Sequence, residues 1–218
     1  MIGNAFFISF KVVIISLFIT LLLGIILNYI LVQKKIRGKS FIETLILLPM
    51  FLPPSAVGYL ILLSLGKRGV IGKFLYENLN ISIIFTMVGA IIVGIVVSIP
   101  IMYGSIKTSL LSVPEELKMV AIEMGANERL VYRKISLPLA RKGIITGTVL
   151  SIARIFGEFG ATILVAGNIP GETQTVPMAL YYAIENSDSG IATTILIVIV
   201  CISIALTLSY NFILRKMK

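Results

Sequence analysis

Arg154 and Glu158 stand four residues apart in an otherwise apolar stretch, so a helix would set them on one face. A charge at the centre of a bilayer costs roughly 2.5–3.5 kcal/mol on insertion scales, so such a pair calls for mutual neutralisation or a watery path. One reading is a lock between helices; the other is the border of a pathway or gate. The remaining inventory of reactive groups is short. Histidine is absent, which removes the usual zinc ligand, general base and triad partner together. Asp188 is the only aspartate and Cys201 the only cysteine, so neither a paired-aspartate site nor an internal disulfide can form. No GxxxxGKS/T phosphate loop occurs. The chain reads as a non-enzyme with no metal or cofactor of its own.

The elements that must hold the pair are membrane helices. Hydrophobic residues make up 57% of the 218 residues and charged residues 13%, which leaves a water-soluble domain too little to face solvent with. Five stretches reach the ~20 residues that cross a hydrocarbon core: Phe6 to Leu31, Leu45 to Leu65, Ile81 to Tyr103, Gly143 to Ala166 and Ile191 to Leu214. A membrane β-barrel would alternate polar and apolar positions, and these runs do not. The first stretch is too long for a signal peptide and lacks a small-residue cleavage site. Pro49, Pro53 and Pro54 interrupt the second, freeing backbone groups that are tolerable only against protein or a water-filled cavity. The expectation is one all-helical domain, residues 1–218, with about five spans and a polar segment at about 104–142.

Charge sets an orientation. With the N-terminus outside, the inner segments hold Lys34, Lys35, Arg37 and Lys39, then Lys107, Lys118, Arg129, Arg133, Lys134, Arg141 and Lys142, then Arg215, Lys216 and Lys218. The outer loops hold Lys67, Arg68 and Lys73. This bias, with an odd number of spans, puts the C-terminus in the cytoplasm. The net charge of +9 then reflects topology and contact with anionic lipid, not nucleic acid.

The polar segment is punctuated as two short helices. Ser112 with Glu115 matches a capping box, with Pro114 in the first turn. Leu117, Val120, Ala121 and Met124 recur at helical spacing, and Gly125 can take the left-handed conformation that ends a helix. Asn127 is placed to cap a second helix carrying Leu130, Val131 and Ile135, which Pro138 interrupts. On these residues alone the hairpin could rest on lipid headgroups or dock on a partner.

Gly125, nine residues, then Ile135, Leu137 and Pro138 resemble the coupling loop of ATP-binding-cassette importer permeases, although Met119 and Val120 replace the Glu and first Ala of that motif and only Ala121 is kept. Elsewhere GEFGAT (157–162), AGNIPG (166–171) and TQT ahead of Pro177 are similar to the membrane subunit of molybdate importers. LLPMFLPPSAVGYLILL, GKRGVIG and SIPIMY also look like that family. Sulfate permeases share EFG and AGNIPG, and tungstate permeases share EFGAT, so both anions stay open.

The resemblance implies a type I importer permease in a prokaryotic cell membrane. Two copies would pair over two ATPase subunits, which would bind ATP and Mg, with an extracytoplasmic protein delivering molybdate. It assigns coupling to Glu115, Glu116, Ala121, Glu123, Gly125, Ala126, Asn127, Ile135, Leu137 and Pro138. Pathway or gate candidates are Pro53, Pro54, Ser55, Arg154, Glu158 and Thr162. Since a fixed Arg against a dianion would hold it too tightly, Arg154 and Glu158 read as a structural pair bordering the path. Ser55 and Thr162 could offer hydroxyls to the anion or bond their own helix backbone.

Overall fold

The computed structural model describes residues 2–33 and 37–216. Lys34, Lys35 and Lys218, used above for orientation, lie outside the described residues. The chain opens with α1 (Ile2–Asn28), which widens into a π-turn at Tyr29–Gln33. Next come α2 (Lys39–Phe51), α3 (Pro54–Leu65) and α4 (Val70–Leu79). The long α5 (Met87–Leu111) leads into α6 (Glu115–Glu123), α7 (Glu128–Val131), a π-turn at Tyr132–Ser136 and α8 (Leu137–Leu139). The chain then runs through α9 (Arg141–Phe156), α10 (Gly160–Ala166), α11 (Val176–Glu185) and α12 (Ser189–Lys216).

Among the described residues, three stretches are unbroken and apolar enough to cross a membrane: Ile2–Val32, Met87–Leu111 and Ser189–Arg215. The second expected span is bent near the prolines that interrupt it in the sequence, and the fourth is broken within its length. Between α2 and α3 the chain turns by 120°. Pro53 lacks an N–H, and Leu52 before it is extended at φ −90°, ψ 146°, as a residue preceding proline must be. Pro49, by contrast, sits within α2. Just ahead of the fourth stretch the chain bends by 66° where Glu128–Leu139 meets α9, and the stretch itself breaks between Phe156 and Gly160. The third begins at Met87 instead of Ile81, because Phe85 takes a positive φ of 62° and Thr86 caps the helix by accepting from Gly89 N–H.

In lipid, apolar side chains gain nothing by leaving one apolar medium for another, so close packing and hydrogen bonds must join the helices. α5 is the central column. One face of α1 presents Ser16, Thr20, Gly24 and Asn28 to it, all buried. Ser16 Oγ donates to Ile91 O at 3.0 Å, Thr20 Oγ1 meets Ser98 Oγ at 2.9 Å, and Asn28 Nδ2 donates to Tyr103 O at 3.1 Å. Glycines allow the approach: a methyl at Gly24 would lie 2.6 Å from Met102 Cγ, and one at Gly143 of α9 would lie 2.4 Å from Ser105 O. α12 is the outlier, packed mainly on α11 and otherwise exposed.

α3 and α10 cross just as closely, since a methyl at Gly58 would lie 2.7 Å from Ala161 Cα. Gly58→Val is expected to cost about 1–3 kcal/mol by overpacking against backbone. Gly104→Ala, with nothing within 4 Å, should change stability by no more than about 1 kcal/mol. Thermal unfolding midpoints of the two variants in detergent, ranked against the parent, check the pair.

Candidate functional site

The break after α9 is built by local bonds. Gly157 N–H donates to Ala153 O at 3.1 Å and Glu158 N–H to Ile155 O at 3.2 Å, closing the helix. Glu158 then does two jobs with two oxygens. Oε1 accepts from Ala161 N–H at 2.8 Å, capping the first turn of α10, and Oε2 pairs with Arg154 Nη1. The Glu158 side chain is 2% exposed and that of Arg154 31%, so the carboxylate is enclosed while the guanidinium keeps an open edge. A helix N-terminus favours an anion, and the break thus supplies an amide to the carboxylate as well as a cation. The mutual neutralisation that the four-residue spacing suggested is present as an ion pair.

Thr162, one residue past the capped amide, is buried. With Ser9, Glu158 and Thr175 it lines a cavity of about 10 Å³, room for one water. Ser9 Oγ accepts from Val176 N–H at 2.8 Å, tying α1 to α11. Thr175 Oγ1 is buried without a hydrogen-bond partner among the described residues.

The second break lies against the first. Pro53 O accepts from Ala56 and Val57 N–H at 2.9 and 3.1 Å, and Pro53, Pro54 and Ser55 are exposed. A methyl at Gly160 would lie 3.0 Å from Pro54 Cβ, so the proline bend and the Glu158 break touch. Ser64 and Thr148 bond the carbonyl four residues back, but among the described residues neither Ser55 nor Thr162 does so. The reading of these two hydroxyls as spent on their own helix is therefore corrected: a short helix start offers no carbonyl four residues earlier. Gly160 serves close packing, and so does Gly167, where φ is 67° and a methyl would lie 2.8 Å from Phe85 Cδ1. The loop after α10 is knotted on itself. Thr173 Oγ1 accepts from Ile169 N–H and donates to Gly167 O, and Gln174 Nε2 donates to Asn168 Oδ1.

In the polar segment the break between the two helices is where the sequence places it. Gly125 has φ 88°, Ala126 N–H reaches back to Ala121 O at 3.0 Å, and Asn127 Oδ1 accepts from Leu130 N–H at 2.9 Å. The Ser112 capping box is not formed. α5 runs on to Leu111, so Ser112 ends that helix and donates to Ser109 O, leaving Pro114 at the start of α6. Glu115 pairs with Lys118 at 2.8 Å, while Glu116 and Glu123 are exposed. The second helix is not plain either. Pro138 cannot donate to Lys134 O, and Leu137 N–H instead bonds Tyr132 O, five residues back, making the π-turn. Ile135 and Leu137 are half-buried and Pro138 is exposed.

α6 buries no residue, and Leu117, Val120 and Met124 are 47%, 52% and 84% exposed. Its anchor to the bundle is the next turn: Tyr132 is buried, its hydroxyl donates to Ile25 O at 2.9 Å, and its ring lies 5.0 Å from that of Tyr29.

Sequence reasoning missed the clasp on α2. Glu43 Oε1 accepts from Tyr103 Oη at 2.6 Å and Lys107 Nζ at 2.8 Å, joining α2 to α5. Since α2 buries no residue of its own, this clasp is its main polar tie. A lone acid in FIETLILL and a Tyr and Lys four apart were the available signals. Lys11, exposed on α1, was also missed.

The architecture is that of a polytopic helical membrane protein with interrupted spans and an exposed helical hairpin, and residues 8–218 match the family of binding-protein-dependent transport system inner membrane components. The chain belongs to that family. It is 41% identical over 208 residues to the molybdenum transport system permease protein ModB of Escherichia coli K12, covering 94% of this chain and 91% of that one. It is 37% identical to the putative molybdenum permease YvgM of Bacillus subtilis, covering 89% and 86%. To the probable sulfate permease cysT of Chlorokybus atmophyticus it is 33% identical, covering 91% and 70%. A crystal structure of a bacterial ABC transporter that imports the acidic polysaccharide alginate shares the fold, with a TM-score of 0.79, 17% identity, and coverage of 99% and 79%.

Removing Glu158 strips Ala161 of its acceptor and leaves Arg154 unpaired. Glu158→Ala is expected to cost about 3–5 kcal/mol, the scale of a broken buried pair. The double variant Arg154→Met with Glu158→Gln, which keeps an acceptor and removes both charges, should recover most of it. Unfolding midpoints of the three proteins in detergent check the ranking.

Proposed function

We propose that this chain is the permease subunit of an ATP-driven importer for molybdate. The observation that carries the reading is the 41% identity to a molybdenum permease across 94% of the chain, together with a pair of touching helix breaks. Discontinuous spans suit transport because their freed backbone groups can face a watery route. A tetrahedral dianion needs donors that bind and release, and exposed Ser55 offers a hydroxyl not used by its own helix, with Thr162 buried behind the junction beside a one-water cavity. Arg154 is held by Glu158, so it borders the route without trapping the anion. The sulfate permease relative keeps sulfate as a second reading, and tungstate shares molybdate's shape.

Two copies of the chain would enclose the path, with the N-terminus outside and the C-terminus in the cytoplasm. Two ATPase subunits hold ATP and Mg, and an extracytoplasmic protein delivers the anion. The exposed apolar face of α6 is the docking surface for the ATPase, with Glu115, Glu116 and Glu123 at its polar edge. Closure of the ATPase pair would push α6, and Tyr132 would pass the push to α1 and α5.

Labelled molybdate uptake into vesicles holding this chain, its ATPase and its binding protein tests the substrate. Uptake should depend on ATP and be competed by tungstate well ahead of sulfate; equal competition by sulfate would overturn the choice. Coupling is tested at Gly125, whose φ of 88° disfavours any side chain. Gly125→Glu should leave the protein inserted and abolish transport-linked stimulation of ATPase, and normal transport by that variant would sink the coupling role.

A further inference from the structure

Lys11 lies in the third turn of the apolar helix α1, about 15 Å from its start, and has no ion partner among the described residues. Side chains on a helix lean toward its N-terminus, and Lys11 follows that lean, with Nζ 4.2 Å from the centroid of the Phe7 ring one turn earlier. An ammonium stretched toward the membrane interface in this way is looking for an anion there.

What lies beside it narrows the anion. Lys11 opens on a cavity of about 350 Å³ that also takes in Thr86 and Met87, at the positive end of the 25-residue α5, and Glu172 from the knotted loop. Lys11 and Glu172 therefore share one cavity without pairing, which suits a ligand carrying both charges. On its other side, Phe7 belongs to a groove of about 580 Å³ walled by Phe6, Phe10, Phe156, Ile202 and Leu206. That groove runs on along α1 as far as Leu17, between α1, α9 and the loosely held α12. A free oxyanion could use the cavity but would leave the groove unfilled.

We propose that this is a phospholipid site for phosphatidylethanolamine: phosphate on Lys11, ammonium on Glu172, and one acyl chain in the phenylalanine groove. The lipid would brace α12, which the protein itself packs sparsely.

The test is native mass spectrometry of the assembled transporter released from nanodiscs of equal phosphatidylethanolamine and phosphatidylcholine. The unsubstituted chain should retain phosphatidylethanolamine in preference. Lys11→Met, which makes the span more apolar and so preserves insertion, should lower that retention about tenfold, the scale of one charge-assisted hydrogen bond. Lys11→Arg should keep it, and Glu172→Gln should erase the preference between the two lipids. Equal retention of both lipids by the unsubstituted chain, indifference to Lys11→Met, or displacement of the lipid by free molybdate would overturn the proposal.

Discussion

One buried carboxylate makes the interrupted architecture possible. In an apolar surrounding a helix cannot simply stop, because the amides and carbonyls it frees have no water to turn to. Glu158 answers both sides of that problem, taking the Ala161 amide on one oxygen and Arg154 on the other. The amide offsets part of the cost of enclosing the carboxylate, and Arg154 supplies the compensating charge. With the break secured, α10 packs on α3, where Gly58 and Ala161 meet. The proline bend at Leu52 and Pro53 then falls beside it. Two weak points in two helices become one structured junction.

Around that junction the bundle is joined by small residues and hydroxyls. Ser16, Thr20 and Asn28 of α1 bond to α5, and glycines on α1 and α9 let the backbones approach. This makes α5 a stiff column from Met87 to Leu111, and the exposed hairpin follows from it after a single turn. Tyr132 fastens the hairpin to α1, while Glu43 fastens α2 to α5 through Tyr103 and Lys107. In the proposed mechanism a push on α6 reaches α1 through Tyr132, α2 through α5 and Glu43, and α9 along the chain through the π-turn.

The features legible in the sequence are those set by neighbours in the chain. Arg154 with Glu158, Gly125 and Asn127 each act within four residues, so spacing alone reveals them. The Ser112 cap failed as an expectation because the end of α5 is decided by packing, which carries that helix to Leu111. The interruption of the second span was legible in its prolines, but its angle was not. Hydropathy counts apolar residues and does not register direction, so the 120° turn at Pro53 leaves the apolar count unchanged. Contacts between residues far apart, such as Glu43 with Tyr103 or Ser9 with Val176, leave only a lone polar residue in an apolar run as their trace.

The sharpest test is whether the junction of the two breaks faces water. In a Cys201→Ser background, needed because Cys201 is exposed, Ser55→Cys and Leu63→Cys can be compared in the assembled transporter with a water-soluble thiol reagent. Both positions are exposed in the single chain, yet only the first lies at the junction. Rapid labelling at position 55, slowed by molybdate, with position 63 inert as a lipid-facing site, is the expected result. Labelling at 55 as slow as at 63 would contradict a transport route at the junction.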